Sequence, residues 1–187
     1  MTVYEAVKNR RTVRKFKQDE VKKEDILKLI DSARLAPYGA NLQPLKFSVI
    51  VSEDLRRQMF PLIKYAGYLP DWDPTFEQSP PVFIAILNDT TIKPTEKSEC
   101  DSGAAVMSKS LVAEELGLGT CWLGSVDRLK IKEMLNLPEH LDITYLLGVG
   151  YPDQKGTAVE MGDSIKYYHD KDENLYVPKR SIKEILV

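Results

Sequence analysis

The sequence predicts one soluble domain in which helices and strands are mixed, and three observations carry that expectation. Its 187 residues are enough for a single domain with a substantial core. Several stretches repeat apolar residues at helical spacing between recognisable start and stop signals. Between them lie short, β-rich apolar runs of strand length. An apolar fraction of 43% beside a charged fraction of 29% is ordinary for a globular protein.

The elements follow in order. Thr2-Val3-Tyr4-Glu5 has the spacing of a capping box, so a helix is expected from near Val3 to near Arg10. A second runs from about Lys22 to Leu35, with Ile26, Leu29, Ile30 and Ala33 on one face and Pro37 stopping it. Phe47 to Val51 reads as a buried strand, and Glu53 to Leu62 as a short helix with Leu55, Met59 and Leu62 aligned. Pro61 to Pro81 is irregular, with Tyr65, Tyr68, Trp72 and Phe76 set among prolines 61, 70, 74 and 80. Such a loop is either a pocket wall or a segment pinned to the core by its aromatics. Val82 to Leu87 is a strand, and Asp101 to Leu116 a long buried helix closed by Gly117. Gly119 to Leu123 is a short strand, Asp127 to Asn136 an amphipathic helix, and Asp142 to Val149 a strand. The tail from Tyr151 to Val187 is polar, has a second capping box at Ser181–Glu184, and holds little local core, so packing on another subunit is expected. One domain, 1–187, covers the chain.

Composition also excludes. No apolar run approaches the ~20 residues of a membrane-spanning helix, and the N-terminus lacks an apolar signal core, so a cytoplasmic location without membrane attachment is expected. Cys100 and Cys121 lie far apart and fit reduced thiols; with His140 and His169 expected at the surface, no metal site is suggested. No GxSxG or P-loop pattern is present.

Four segments could carry chemistry. Arg10-Arg11-Thr12-Val13-Arg14-Lys15-Phe16 packs three guanidinium groups and a hydroxyl into five residues of a chain with net charge -2. A local basic cluster on a slightly acidic protein suits a fixed anion, because the planar guanidinium donates paired bonds to phosphate; a solvated basic turn is the plainer alternative. Ala36-Pro37-Tyr38-Gly39-Ala40-Asn41-Leu42-Gln43-Pro44 carries two amides able to read a heterocycle edge, and Gly39 permits close backbone approach; ordinary turn chemistry explains it equally. Gly117-Leu118-Gly119-Thr120-Cys121-Trp122-Leu123-Gly124-Ser125 is glycine-rich, but its third glycine is misplaced for a dinucleotide fingerprint and it follows a helix. A backbone-lined wall against a flat ring remains open. Pro178-Lys179-Arg180 is a late basic pair that could close on a phosphate.

Together these segments resemble the FMN-dependent nitroreductase family. Arg10-Arg11-Thr12-Val13-Arg14-Lys15-Phe16 looks like its RRSxRxF opening, 36–44 like its APSxxNxQPW turn, 117–124 like its GLGTxWxG segment, and Gly148-Val149-Gly150-Tyr151-Pro152 like its GxGYP strand end. The resemblance implies an α+β fold, a mixed central sheet flanked by helices, and a homodimer with two FMN sites at the subunit seam. By position it implies that Arg10, Arg11, Thr12 and Arg14 contact FMN from one subunit, with Lys179 and Arg180 completing the phosphate site. Pro37, Tyr38, Gly39 and Asn41 would reach the flavin from the other subunit, with Gln43 contacting it or orienting the turn. Trp122, Leu123 and Gly124 would lie against the isoalloxazine. No side chain would be catalytic: FMN takes hydride from NAD(P)H and passes electrons to a small planar acceptor, such as a nitroaromatic or quinone, in ping-pong turnover. Arg14 would place a cation at the pyrimidine edge, which favours the anionic reduced flavin.

Three departures stand out. Tyr38 replaces a usual small residue, Leu45 a usual Trp, and the stretch from Tyr151 to Pro178 is long. The first bears on substrate, the others on subunit packing. The same resemblance covers specialised members (a dehydrogenase, a reductive dehalogenase, a flavin-cleaving enzyme) and a non-enzymatic FMN redox sensor. Nucleic-acid binding through residues 10–17 is opposed by the acidic balance and the lack of a stacking platform.

Overall fold

A computed structural model describes residues 1–69 and 72–187. It begins with α1 (Val3–Asn9), whose capping box is made: the Glu5 amide donates to Thr2 Oγ1 at 3.1 Å, and the Thr2 amide to Glu5 Oε2 at 2.7 Å. Helix α2 (Lys23–Arg34) follows, burying Ile26, Leu29 and Ala33. Strand β1 (Leu45–Ile50), helix α3 (Glu53–Met59), strand β2 (Val82–Asp89) and the 17-residue α4 (Glu99–Glu115) come next. Then come β3 (Gly119–Leu123), α5 (Arg128–Met134) and β4 (Leu141–Gly150).

The first four strands form one antiparallel sheet in the order β1-β2-β4-β3. Every residue of β2 is buried, as a central strand covered on both faces must be. A parallel bridge between Thr12 and Thr120 extends the sheet beyond β3. One face meets α3, α5 and Phe16 through Phe83, Ala85, Cys121 and Leu123; the other meets α2 and α4 through Ile84, Ile86, Leu147 and Val149. The fold is thus α+β with helices flanking the central sheet.

Helix α4 ends as its sequence requires. Gly117 takes φ +72°, its amide donates to Glu114 O, and the Leu118 amide reaches back to Ala113 O, the paired bonds of a Schellman stop. Gly119 must also be small, because a Cβ there would lie 2.8 Å from Val13 Cγ2. That contact lets residues 12–13 run against β3.

Three expectations need correction, and one left open is decided. The strand at 45–50 is an edge strand and only half-buried, since a β2 partner lies on one side alone. His140 and His169 are half-buried, not exposed; His169 packs edge-on to Trp72 at 4.8 Å and bonds Gln154 at 3.1 Å. The tail has a core of its own. Strands β5 (Gly156–Glu160), β6 (Tyr168–His169) and β7 (Leu175–Lys179) make a second sheet in the order β5-β7-β6, with Leu175 buried. It is stitched to its own chain by Lys17 N to Tyr151 O and Asp153 N to Lys15 O, each 2.9 Å. Apolar residues still stand exposed along it, Ile165 and Tyr168 as well as Ile182, Ile185 and Leu186 at the short helix α6 (Ile182–Ile185). Finally, the aromatic loop is pinned: Phe60 contacts Tyr65 and Phe76 at 5.8 Å, and Tyr68 meets Tyr167 at 5.1 Å. Pro70, one of its prolines, lies outside the described residues.

Lys109 is fully buried on the inward face of α4, its ammonium 3.4 Å from the centre of the Phe47 ring and without a hydrogen-bond partner among the described residues. Burial pushes its pKa down to about 7. The ring face returns part of the lost hydration. In the unfolded chain the group titrates near its ordinary value of 10.5, so between about pH 7 and 10.5 the unfolded state binds more protons and stability rises with pH. Lys109→Met keeps the aliphatic stem and removes the ammonium. It is expected to raise the melting temperature at pH 7 and to flatten the rise between pH 7 and 10. Thermal unfolding at several pH values checks this, and an unchanged slope would show that Lys109 is hydrated.

Candidate active site

The capping box of α1 delivers the chain into Arg10 at its C-terminal end. From there the Thr12–Thr120 bridge and the Val13 amide, donating to Thr120 O at 2.9 Å, lay the arginine cluster along β3. Arg10 is half-buried and its Nε is buried with no partner among the described residues. Burial pulls its pKa down and Glu114 partly offsets this. Glu114 is itself pushed up by burial, with Arg10 and Arg11 opposing. Arg11 folds back to donate to the carbonyls of Val7 (3.3 Å) and Lys8, which caps α1. A cleft of about 190 Å³ opens here, lined by Asn9, Arg11, Val13, Glu114, Gly119 and Gln154.

Arg14 points elsewhere. It is 9% exposed, its Nε donates to Tyr65 O at 2.6 Å, and its guanidinium lies 4.7 Å from the centre of the Tyr167 ring. Its amide donates to Gln154 Oε1 at 3.1 Å. The Tyr65 hydroxyl is buried without a partner among the described residues, and burial holds it firmly protonated. Burial also pushes the neighbouring Cys121 thiol up to about 11, so this cysteine is inert.

The amide-bearing turn sits at the other end of α4. The Gly39 amide donates to Asp101 Oδ1 at 2.9 Å. Ala40, Asn41 and Gln43 adopt φ of +50°, +54° and +50°, which costs non-glycine residues energy. Asn41 and Gln43 are exposed, and Gln43 Nε2 donates to Asn41 O at 3.3 Å, orienting the turn. Tyr38 is half-buried and its hydroxyl donates to Ala33 O at 2.7 Å. That hydroxyl is therefore engaged by the end of α2, where the sequence left it free to enter the pocket. Pro37 is exposed beside it.

On β3 the alternation sends Cys121 and Leu123 into the core and Trp122 outward, 45% exposed. The Trp122 ring stands edge-on to Tyr145 at 5.2 Å and over Gly103. Leu123 can therefore offer a ligand only its backbone. Arg128 fixes the strand end by donating to Gly124 O at 2.9 Å and to Thr144 O. Lys179 and Arg180 are exposed at the end of β7, and no hydrogen bond or ion pair ties them to the arginine cluster among the described residues. Gly156, which packs on Arg11, starts β5, whereas Lys179 pairs with Glu160 at the far end of that strand.

One chain thus joins Arg10, Arg11 and Thr12 at one end of α4 and the Tyr38–Asn41 turn with Trp122 towards the other. Glu114 and Asp101 mark these ends, roughly 20 Å apart at 1.5 Å per helical residue. Glu114, Asp101, Arg128 and Tyr65 were missed by sequence reasoning. None stands in a motif that singles it out. Among the described residues no cluster of His, Cys, Asp and Glu could hold a metal ion, and no helix is long and apolar enough to cross a membrane.

The site residues suit a flat, anionic cofactor on three counts. A half-buried guanidinium keeps an unused donor, an exposed indole offers a face, and a turn rich in left-handed residues presents two amides. Comparison with known proteins points the same way. The profile of the nitroreductase family matches residues 7–151. An iodotyrosine deiodinase of Thermotoga neapolitana is 27% identical, over 89% of this chain and 97% of its own. An NADPH-dependent FMN reductase of Bacillus subtilis is 25% identical, over 79% of this chain and 65% of its own. The crystal structure of a nitroreductase family protein from Clostridium novyi superposes with a TM-score of 0.69 at 29% identity, covering 81% of this chain and 87% of that one.

Proposed function

The chain belongs to the nitroreductase family, and from that premise we propose an FMN-dependent oxidoreductase that takes electrons from NAD(P)H and delivers them to small planar acceptors such as nitroaromatics or quinones. The observation that carries this reading is the buried Arg10 Nε, unpaired among the described residues, beside a chain segment already laid along β3. Bound FMN supplies the redox chemistry, accepting hydride from the nicotinamide and passing electrons to the second substrate.

The protein's own residues bind and orient. Arg10 would hold the phosphate, with Arg11 and Thr12 alongside, whereas Lys179 and Arg180 stand apart from this cluster at the far end of β5. Arg14, immobilised by Tyr65 and Tyr167, supplies a fixed cation. Trp122 and the backbone of Leu123 and Gly124 form a wall held by Arg128. Pro37, Tyr38, Gly39, Asn41 and Gln43 form the opposing rim. Because the two groups sit at opposite ends of α4, the rim is supplied by the second subunit of a homodimer. Exposed Trp122, Met107, Val3 and Val7, with the apolar residues of α6, give that dimer its surface. Donor and acceptor would meet the flavin in turn at one face, so ping-pong turnover is expected.

Purified protein is expected to be yellow and to bleach when NADH or NADPH is added without oxygen. A protein that cannot be loaded with FMN would end this reading. The likeness to an iodotyrosine deiodinase favours one second reading, reduction of halogenated phenols, so the acceptor panel includes one. Turnover of the halogenated phenol alone would select it.

A further inference from the structure

We propose that Asp101, at the start of α4, is the positioning residue that sets the shape of the cofactor-facing turn. The proposal rests on the reading that residues 37–43 meet FMN. Asp101 is 2% exposed and both of its oxygens are committed across the fold. Oδ1 accepts from the Gly39 amide at 2.9 Å, and Oδ2 is paired with the Lys93 ammonium.

The turn needs such a tie. Three of its non-glycine residues are left-handed, a conformation that persists only where surroundings impose it. Its ends are held by Tyr38 Oη on Ala33 O, 2.7 Å, and by Pro44 O accepting from the Asp89 amide, 2.9 Å. Between these anchors the remaining bonds are internal: Asn41 N to Tyr38 O, Leu42 N to Gly39 O, and Gln43 Nε2 to Asn41 O. Among the described residues, the Gly39–Asp101 bond is the one that fixes the middle of the turn to the rest of the protein.

Gly39 takes on a different meaning here. A Cβ at this position would lie 3.3 Å from Lys93 Nζ and 3.7 Å from Asp101 Oδ1. The backbone at Gly39 thus packs directly against the ion pair. The carboxylate is held in place by the Lys93 ammonium, and its bond from the Gly39 amide orients the Gly39–Ala40 stretch and with it the exposed Asn41 amide. Asp101 touches neither flavin nor substrate, and acts through the turn.

The test uses full-length apo-protein in four forms: parent, Asp101→Ala, Asp101→Asn and Asp101→Ser. Two quantities are read, FMN affinity by quenching of flavin fluorescence and hydrogen exchange of the residue-39 amide by NMR. Asp101→Ala should weaken FMN at least tenfold and speed exchange at Gly39 at least tenfold. Asp101→Asn keeps an acceptor oxygen for the Gly39 amide and should stay within about threefold of the parent in both. Should Asp101→Ala fail to fold, Asp101→Ser, whose shorter side chain does not reach the Gly39 amide, is expected to show the same losses. Parent-like affinity and exchange in folded Asp101→Ala, or in Asp101→Ser, would overturn the proposal. So would a folded Asp101→Asn as impaired as the alanine variant, since the lost charge and not the bond would then be responsible. If the parent itself takes up no FMN, the function reading fails, while exchange at Gly39 still decides whether Asp101 holds the turn.

Discussion

Replacing Arg10 with alanine is expected to weaken FMN binding roughly ten- to a hundredfold, the ~1.5–3 kcal/mol of a hydrogen bond to a charged group. The guanidinium is already half-stripped of water, and its Nε donor is unused. Burial has therefore lowered its stability as a cation before any ligand arrives, and an incoming phosphate recovers what hydration no longer gives. Arg10→Lys should fall between parent and alanine, because it keeps charge but loses the planar fork. Arg11→Ala should cost less affinity, since that side chain is occupied with the carbonyls of Val7 and Lys8 and its loss mainly frays α1. A fluorescence titration measures all three. Equal affinity for parent and Arg10→Ala would move the phosphate elsewhere.

The largest stability effect is expected from Phe16→Ala, about 3–5 kcal/mol. Phe16 is 2% exposed and sits in the core with Val13, Phe83 and Cys121. It packs so tightly over the strand exit that a Cβ on Gly150 would lie 3.1 Å from its Cδ1. Its backbone also joins two loops, the amide donating to Gln78 O at 2.8 Å and the residue bridging Pro152. The surrounding contacts come from different elements, so the site cannot collapse to fill the void. Urea unfolding should show a lower midpoint with an unchanged slope. A loss under ~1 kcal/mol would mean the neighbours relax into the space. Since Phe16 anchors the segment that carries Arg10 to Arg14, FMN affinity should fall as well.

Local signals were read well because they are local. Thr2 and Glu5 can only close a helix start, and Gly117 before Leu118 can only stop one, so α1 and the end of α4 lie where their residues indicate. The small strands β5 to β7 were missed because each is only two to five residues long and takes its stability from pairing, as Gly156 does with Leu175. His169 was misjudged for the same reason: its cover, Trp72, lies almost a hundred residues away. The candidate site divides likewise. Arg10, Asn41 and Trp122 stand in recognisable segments, whereas Asp101, Arg128 and Glu114 belong to helices whose sequences show only ordinary amphipathic or capping residues.

Residue chemistry and spacing alone determined the helices, the main strands, the family likeness and the kind of cofactor that arginines and amides could hold. Tertiary structure decided which of those polar groups are already engaged and which keep a donor to spare. It tied Tyr38 to Ala33, Arg14 to Tyr65 and Gly39 to Asp101, and left Arg10 Nε without a partner among the described residues. Hydrogen bonds saturate and are directional, so whether a side chain is free to meet a ligand depends on neighbours brought from far along the chain, and no local pattern records them.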